Sequence, residues 1–289
     1  MTITDAIDAM CNLVTPREIR LDQVGLAPQT FDQLRFPKRY RNGVPLPDYL
    51  RMMDKAGVKQ ALMLAVRAGD LREQGSFEIP YERVRDVCKT YRNRLFGLAG
   101  IDPTRGMQGL EDLERAVTQY GFVGAHIYPH WFRRPPDDAI YYPYYAKCSE
   151  LGVPVQIQVG QNLNYRRNRG FPAVDFPIAL DRVAINFPDL KIIGIHIGFP
   201  WHDEMISMAW KHENIYIGSD AYAPKHWPKS FVHYINTYGQ DKVLFGTDWP
   251  AITPERGVSE ILALGLRPGP LRKLLRDNAR RVFKLPRAK

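Results

Sequence analysis

Cysteine is scarce in this chain. Cys11, Cys88 and Cys148 are odd in number, and no two stand at metal-ligand or redox-motif spacing. A disulfide scaffold is excluded, and free thiols in a reducing, cytoplasmic compartment are expected. Long apolar runs are lacking as well. No stretch approaches ~18 consecutive apolar residues, so no membrane span is expected. Met1–Asp5 has no basic region followed by an apolar one, so it does not read as a secretory signal. No Gly-x-Gly-x-x-Gly follows a candidate strand, which weakens a dinucleotide-binding reading. Internal repeats and low-complexity segments are missing. Nucleic-acid motifs are missing too, although 40 Lys and Arg against 31 Asp and Glu leave a net charge of +9. That surplus steers anions toward the protein.

What is present suits one large α/β domain over residues 1–289: 45% of the residues are hydrophobic and 25% are charged. Apolar runs predict eight strands, at Ile3–Asn12, Gln60–Val66, Leu95–Ile101, Val123–Tyr128, Val153–Val159, Leu190–Ile197, Asn214–Ser219 and Lys242–Thr247. Amphipathic stretches alternate with them: Pro47–Ala56, Gly109–Tyr120, Tyr141–Leu151, Ala173–Asn186, Trp201–His212, Trp227–Tyr238 and a closing helix Pro270–Phe283. Strands alternating with helices imply a parallel sheet, and eight units fit a closed (β/α)8 TIM barrel. Two insertions, Thr15–Asn42 after strand one and Gln161–Pro172 after strand five, carry many arginines. Both follow strand C-termini, so both are expected to overhang the functional face as lids.

The last unit, Lys242-Val-Leu-Phe-Gly-Thr-Asp248-Trp249-Pro250, is the most telling. A carboxylate at the tip of an apolar strand has lost water, which costs free energy unless a metal, a cation or a reacting proton offsets it. Asp248 is therefore the first catalytic candidate. Other tips offer Asn12, His126, Tyr128, Gln158, His196 and Ser219, with Tyr222 just beyond.

Ile7-Asp8-Ala9, Gly152-Val-Pro-Val155, His196-x-Gly198 with Pro200-Trp201, and Phe245-Gly-Thr-Asp248-Trp-Pro250 occur in the order seen in the amidohydrolase-related family. The chain resembles that family, which includes the resorcylate decarboxylases, from Ile7 to Phe283. The resemblance implies a His-x-His metal motif at the end of strand one, where this chain has Met10 and Asn12. It implies a metal-binding His at the end of strand five, where Gln158 stands. Of the implied ligands Asp248 remains, together with the acid–base His196. Thioethers and neutral amides are poor ligands for a catalytic zinc. His126 and His130 are the substitutes on offer; otherwise His126 is a core histidine and His130 an exposed loop residue.

The expectation is thus a metal-free, cofactor-free enzyme in which Asp248 and His196 form an acid–base pair. The positive charge of the implied metal would be replaced by arginines, with Arg67, Arg133 or Arg134, and Arg166, Arg167 or Arg169 as candidates. Tyr128, Tyr165 and Tyr222 would bind phenolic or enolate oxygens, and Asn12, Gln158 and Ser219 would add hydrogen bonds. Trp249 would wall the pocket, and Trp210 would lie in a helix-face core. The substrate class is a small anionic, carboxylated or aromatic-derived compound; a coenzyme A thioester also suits the basic lids. Hydrolysis stands slightly ahead of decarboxylation or hydration, and a non-catalytic ligand-binding barrel stays open. The aromatic run Ile140–Tyr145 suits packing or a subunit contact, and the resemblance implies a homodimer.

Overall fold

Eight parallel strands form one sheet in simple sequential order. They are β1 (Ala6–Asn12), β2 (Val58–Ala65), β3 (Leu95–Gly100), β4 (Gly124–Ile127), β5 (Val155–Gln158), β6 (Ile192–Ile195), β7 (Ile215–Gly218) and β8 (Val243–Leu244). The computed structural model describes residues 5–25, 31–32, 36–161 and 170–287. The sheet closes on itself at its first and last strands. Ala9 N donates to Phe245 O, Asp248 N to Met10 O and Asn12 N to Trp249 O, beside a parallel bridge between Cys11 and Trp249. The chain is a (β/α)8 barrel, as its alternation of elements predicts.

The strands are covered on both faces, which is why they read as unbroken apolar runs. Each fully buried Leu or Ile contributes about 1.5–3 kcal/mol. Asn278 fixes the closing helical segment to the seam by donating to Val243 O and Gln240 O. Tyr141, Tyr144 and Tyr145 of the aromatic run are buried.

Four features depart from the sequence reading. Helices Tyr81–Thr90 and Pro254–Leu262 were not foreseen. The helix expected over Ala173–Asn186 is confined to Leu180–Asn186 behind a single 3-10 turn, because Phe176 precedes a proline and is extended. Arg67–Ala68 pairs with Phe77–Glu78 in a small antiparallel ladder beyond β2. Trp210, expected in a helix-face core, stands 74% exposed. It lies on the outer side of helix His202–Lys211, whose buried face is Met205, Ile206, Met208 and Ala209.

The insertion after β1 is tied to the seam by aromatic contacts. Trp249, 1% exposed, stands with its ring centroid 5.6 Å from Phe36, 6.0 Å from Tyr40 and 5.3 Å from Tyr49. Asp8, fully buried below it, accepts from Thr247 N at 2.9 Å and Thr247 Oγ at 2.6 Å. This strap fixes the turn that carries Asp248.

Candidate active site

Three strand tips bend into the left-handed region where the barrel opens. His196 has φ 65°, Ala221 φ 67° and Asp248 φ 49°. Non-glycine residues reach that region only when their surroundings hold them there, and such strain collects at functional sites. The bends gather three ionisable groups. His196 Nε2 lies 3.7 Å from Asp248 Oδ2 and 3.6 Å from Asp220 Oδ2. The His196 amide donates to Asp220 Oδ1 at 3.1 Å. Two glycines make room for Asp220: a Cβ on Gly218 would meet its Oδ1 at 2.8 Å, and one on Gly246 would meet its Cβ at 2.9 Å.

Burial drives all three groups toward their neutral forms. It raises Asp220 to about 7, against the opposing His196 amide and with the help of Asp8. It raises Asp248 well above the usual carboxylate range, and Asp220 adds to the push while the hydrogen bond from Asn12 resists it. Water still reaches 18% of the Asp248 side chain and tempers that shift. His196 is lowered to about 3 by burial and then by neighbouring His130. Burial therefore disfavours a row of charges in this trio near neutral pH.

The other candidates divide. Asn12 Nδ2 holds Asp248 Oδ1 at 2.8 Å and Trp249 O at 2.9 Å. Tyr128 is raised well above its ordinary value by burial, Asp248 and Asp220, and Tyr222 to about 12 by burial and Asp248, so both lie within the field of the trio. Gln158 and Ser219 are buried at their tips, and Ser219 Oγ has no hydrogen-bond partner among the described residues. His126 is 1% exposed, has neither ring nitrogen hydrogen-bonded among the described residues and packs edge-on against Tyr128, ring centroids 4.2 Å apart. Its pKa is lowered well below the usual value by burial, then by His196 and His130.

Arg67 is not free to meet a ligand. Its guanidinium is 3.0 Å from Asp112, 3.6 Å from Glu78 and 4.0 Å from the Tyr81 ring. Arg133 is exposed, and so is Arg134, which pairs with Asp138. Trp249 belongs to the aromatic seam described above. Tyr165, Arg166, Arg167 and Arg169 lie outside the described residues. His130 is buried rather than exposed, 2.9 Å from Asp175. Asp220 was missed, though its signal equals that of Asp248: a carboxylate just past an apolar strand.

The donor set does not fit the metal that the resemblance implies. The positions in question hold a buried thioether, Met10, and two neutral amides, Asn12 and Gln158. Both Asn12 amide hydrogens already have acceptors. Among the described residues, no group of three or more His, Cys, Asp or Glu is placed to hold a metal ion.

A closed barrel with an imidazole and two buried carboxyls at its C-terminal face is an arrangement of the TIM-barrel class, where function sits at that face. The sequence profile described as Amidohydrolase matches residues 7–285, and the chain belongs to that family. A γ-resorcylate decarboxylase of Rhizobium sp. is 24% identical over 82% of this chain and 86% of its own length. A 2-keto-4-carboxy-3-hexenedioate hydratase of Sphingobium sp. is 32% identical over 114 residues, which is 32% of this chain and 31% of that protein. Among solved structures, a TIM-barrel protein of Bordetella bronchiseptica aligns over 97% of this chain and 99% of its own, with TM-score 0.79 and 23% identity. A 5-carboxyvanillate decarboxylase of Novosphingobium aromaticivorans, solved with manganese, aligns over 97% of this chain and 96% of its own, with TM-score 0.70 and 17% identity. The two structural likenesses show the fold.

Proposed function

We propose that this protein is a lyase that removes the carboxylate of a small aromatic or enolisable acid by acid–base chemistry at Asp248 and His196, without a metal. One observation carries the reading: a strand-tip carboxyl that burial pushes well above the usual carboxylate range lies 3.7 Å from an imidazole. Decarboxylation needs such a group. A proton passes from Asp248 to the carbon that bears the carboxylate. The bond to that carboxylate breaks, CO2 leaves, and the bonding pair stays on the substrate. His196 lies where it can return a solvent proton to Asp248. Tyr128 and Tyr222 would orient the substrate's oxygens.

Hydrolysis, placed first from the sequence, needs the opposite form. An ionised Asp248 would have to activate water, and burial disfavours that form. The names of the relatives point the same way, toward decarboxylation and hydration. Hydration is the second reading, favoured by the 114-residue match; it would use the same acid to protonate an alkene carbon.

A panel of hydroxylated benzoates and unsaturated diacids, assayed for CO2 release, tests the proposal. Asp248→Asn is expected to abolish release. Full turnover by that variant, or products formed only by hydrolysis, would refute it.

A further inference from the structure

The tip of β4 carries an imidazole–carboxylate contact that the Asp248–His196 couple does not use. His130 lies in the short helix Pro129–Phe132, and Asp175 lies beyond the insertion that follows β5. His130 Nδ1 stands 2.9 Å from Asp175 Oδ2, and each side chain is 1% exposed. The pair is built in from both sides. The Gly160 amide donates to the Asp175 carbonyl at 2.6 Å, which joins Asp175 to the end of β5. The Phe171 ring lies 4.6 Å from Trp131 and 5.7 Å from His130.

A carboxylate 2.9 Å from Nδ1 favours the tautomer with the proton on Nδ1 and the lone pair on Nε2. His130 Nε2 is buried and has no hydrogen-bond partner among the described residues, and the Nδ1–Asp175 contact is close without meeting hydrogen-bond geometry. A buried acceptor left unpaired is costly, so an incoming donor would be favoured there. The imidazole belongs to the neighbourhood of the strand tips. Its ring is 5.8 Å from that of Tyr128. A proton on His130 would push the His196 pKa down, second to burial, so the two rings lie within electrostatic reach of each other.

We propose that His130 is a catalytic base that accepts the proton of a substrate hydroxyl, with Asp175 as its positioning residue. The inference rests on the lyase reading and narrows the substrate to a carboxylic acid that bears a phenolic or enolic hydroxyl. The substrate O–H bond breaks and its proton passes to Nε2. The oxygen's electrons enter the conjugated system, and the proton of Asp248 forms the new C–H bond. The bond to the carboxylate then breaks, CO2 leaves, and the bonding pair flows back to the oxygen. His130 returns its proton to that oxygen.

The test reads proton transfer without turnover. The probe is 4-hydroxy-3-nitrobenzoate, whose phenolate absorbs at longer wavelength than its phenol, at a pH where the free compound is the neutral phenol. Wild type is expected to bind it as phenolate. His130→Gln is expected to bind it as phenol, with kcat/KM on the true substrate lower by about 10²–10⁴-fold. Asp175→Asn, which turns the lone pair of His130 toward Nδ1, is expected to lose most of the phenolate band while thermal melting shows a folded protein. A probe that does not bind to wild type, that binds to it as the phenol, or that keeps its band in His130→Gln overturns the proposal; the wild-type readings stand even if a variant fails to fold. Failure of the lyase reading looks different: the phenolate band is intact, yet no CO2 is released from any hydroxylated acid.

Discussion

Asn12 Nδ2 donates to Asp248 Oδ1 at 2.8 Å across the seam where the barrel closes, and the same amide donates to Trp249 O at 2.9 Å. The tip of the first strand thereby aims the acid carried by the last. This bond favours the ionised form of Asp248 and so works against burial.

Asn12→Ala should therefore loosen the aim of Asp248 and raise its pKa further. The stability cost is about 1–3 kcal/mol, since Asp248 and the Trp249 carbonyl lose a donor. Turnover should fall by about tenfold or more, because acid–base catalysis depends on a placed proton. The basic limb of the rate profile should move to higher pH. Urea denaturation and a pH–rate series check both parts, and an unmoved profile would show that Asn12 does not act through Asp248.

Arg67 illustrates a charge whose partners lie within the protein. Arg67→Met removes one member of a buried pair with Asp112 and leaves the carboxylate to Arg105 and Arg115. Breaking a buried pair costs about 3–5 kcal/mol, and the remaining arginines should hold the loss toward the lower end. Activity per folded molecule should stay within about twofold of wild type, since distant effects are nearly independent. A specific loss of substrate affinity at full stability would instead place Arg67 in the binding site.

Asp220 makes stability depend on pH in an unusual direction. Its pKa is raised from 3.8 to about 7, so the folded chain holds the proton more tightly than the unfolded chain does. Between about pH 4 and pH 7, unfolding releases that proton, and stability falls as pH rises through the window. The loss is at most about 4 kcal/mol from this group alone. Asp8, raised from 3.8 to about 6, adds a slope of the same sign over a narrower window. Asp220→Asn has no proton to lose, so its stability should change less between about pH 4 and 7 and should exceed that of wild type above pH 7. Urea midpoints at about pH 4, 6 and 8 decide the matter; an equal slope in both proteins would mean that Asp220 is ionised in the fold.

The barrel was legible because buried parallel strands leave a signal that needs no partner: Ala61–Ala65 and Ile192–Ile195 are apolar on both faces. The helix Tyr81–Thr90 was not, because Glu82, Arg83, Arg85, Asp86 and Lys89 dilute a core stripe of only Tyr81, Val84 and Val87. At the site, Asp248 and His196 could be placed because each ends a long apolar run. Asp220 stands one residue past the expected strand Asn214–Ser219, whose tip candidate was Ser219, and the bend at Ala221 that helps to shape this tip is a three-dimensional event. His130 looked exposed because Pro129 and the Arg133–Pro136 segment flank it. Its burial depends on Asp175 and Phe171, some forty residues away in the chain. Arg67 follows the same rule: charge is visible in a sequence, whereas its ion-pair partners Asp112 and Glu78 are not.

Rebuilding a metal cage tests the claim that this barrel works without one. Met10, Asn12 and Gln158 offer a thioether and two amides on the first and fifth strands, with Asn12 bonded to Asp248, and such a set should bind a divalent cation weakly. Wild-type turnover should survive a chelator, and added manganese should not raise it. The triple variant Met10→His, Asn12→His, Gln158→His brings three imidazoles to the same mouth, enough for a catalytic site. Its affinity for manganese or zinc should exceed that of wild type by about 100-fold or more, as read by calorimetry and elemental analysis. Turnover by the proposed route should drop in the same variant. A bound cation requires Asp248 as the carboxylate, which removes the proton the reaction needs, and the aiming bond from Asn12 is gone. If the chelator instead silences wild type and manganese restores it, the acid–base trio is a metal site after all, and the protonated Asp248 has no part in the chemistry.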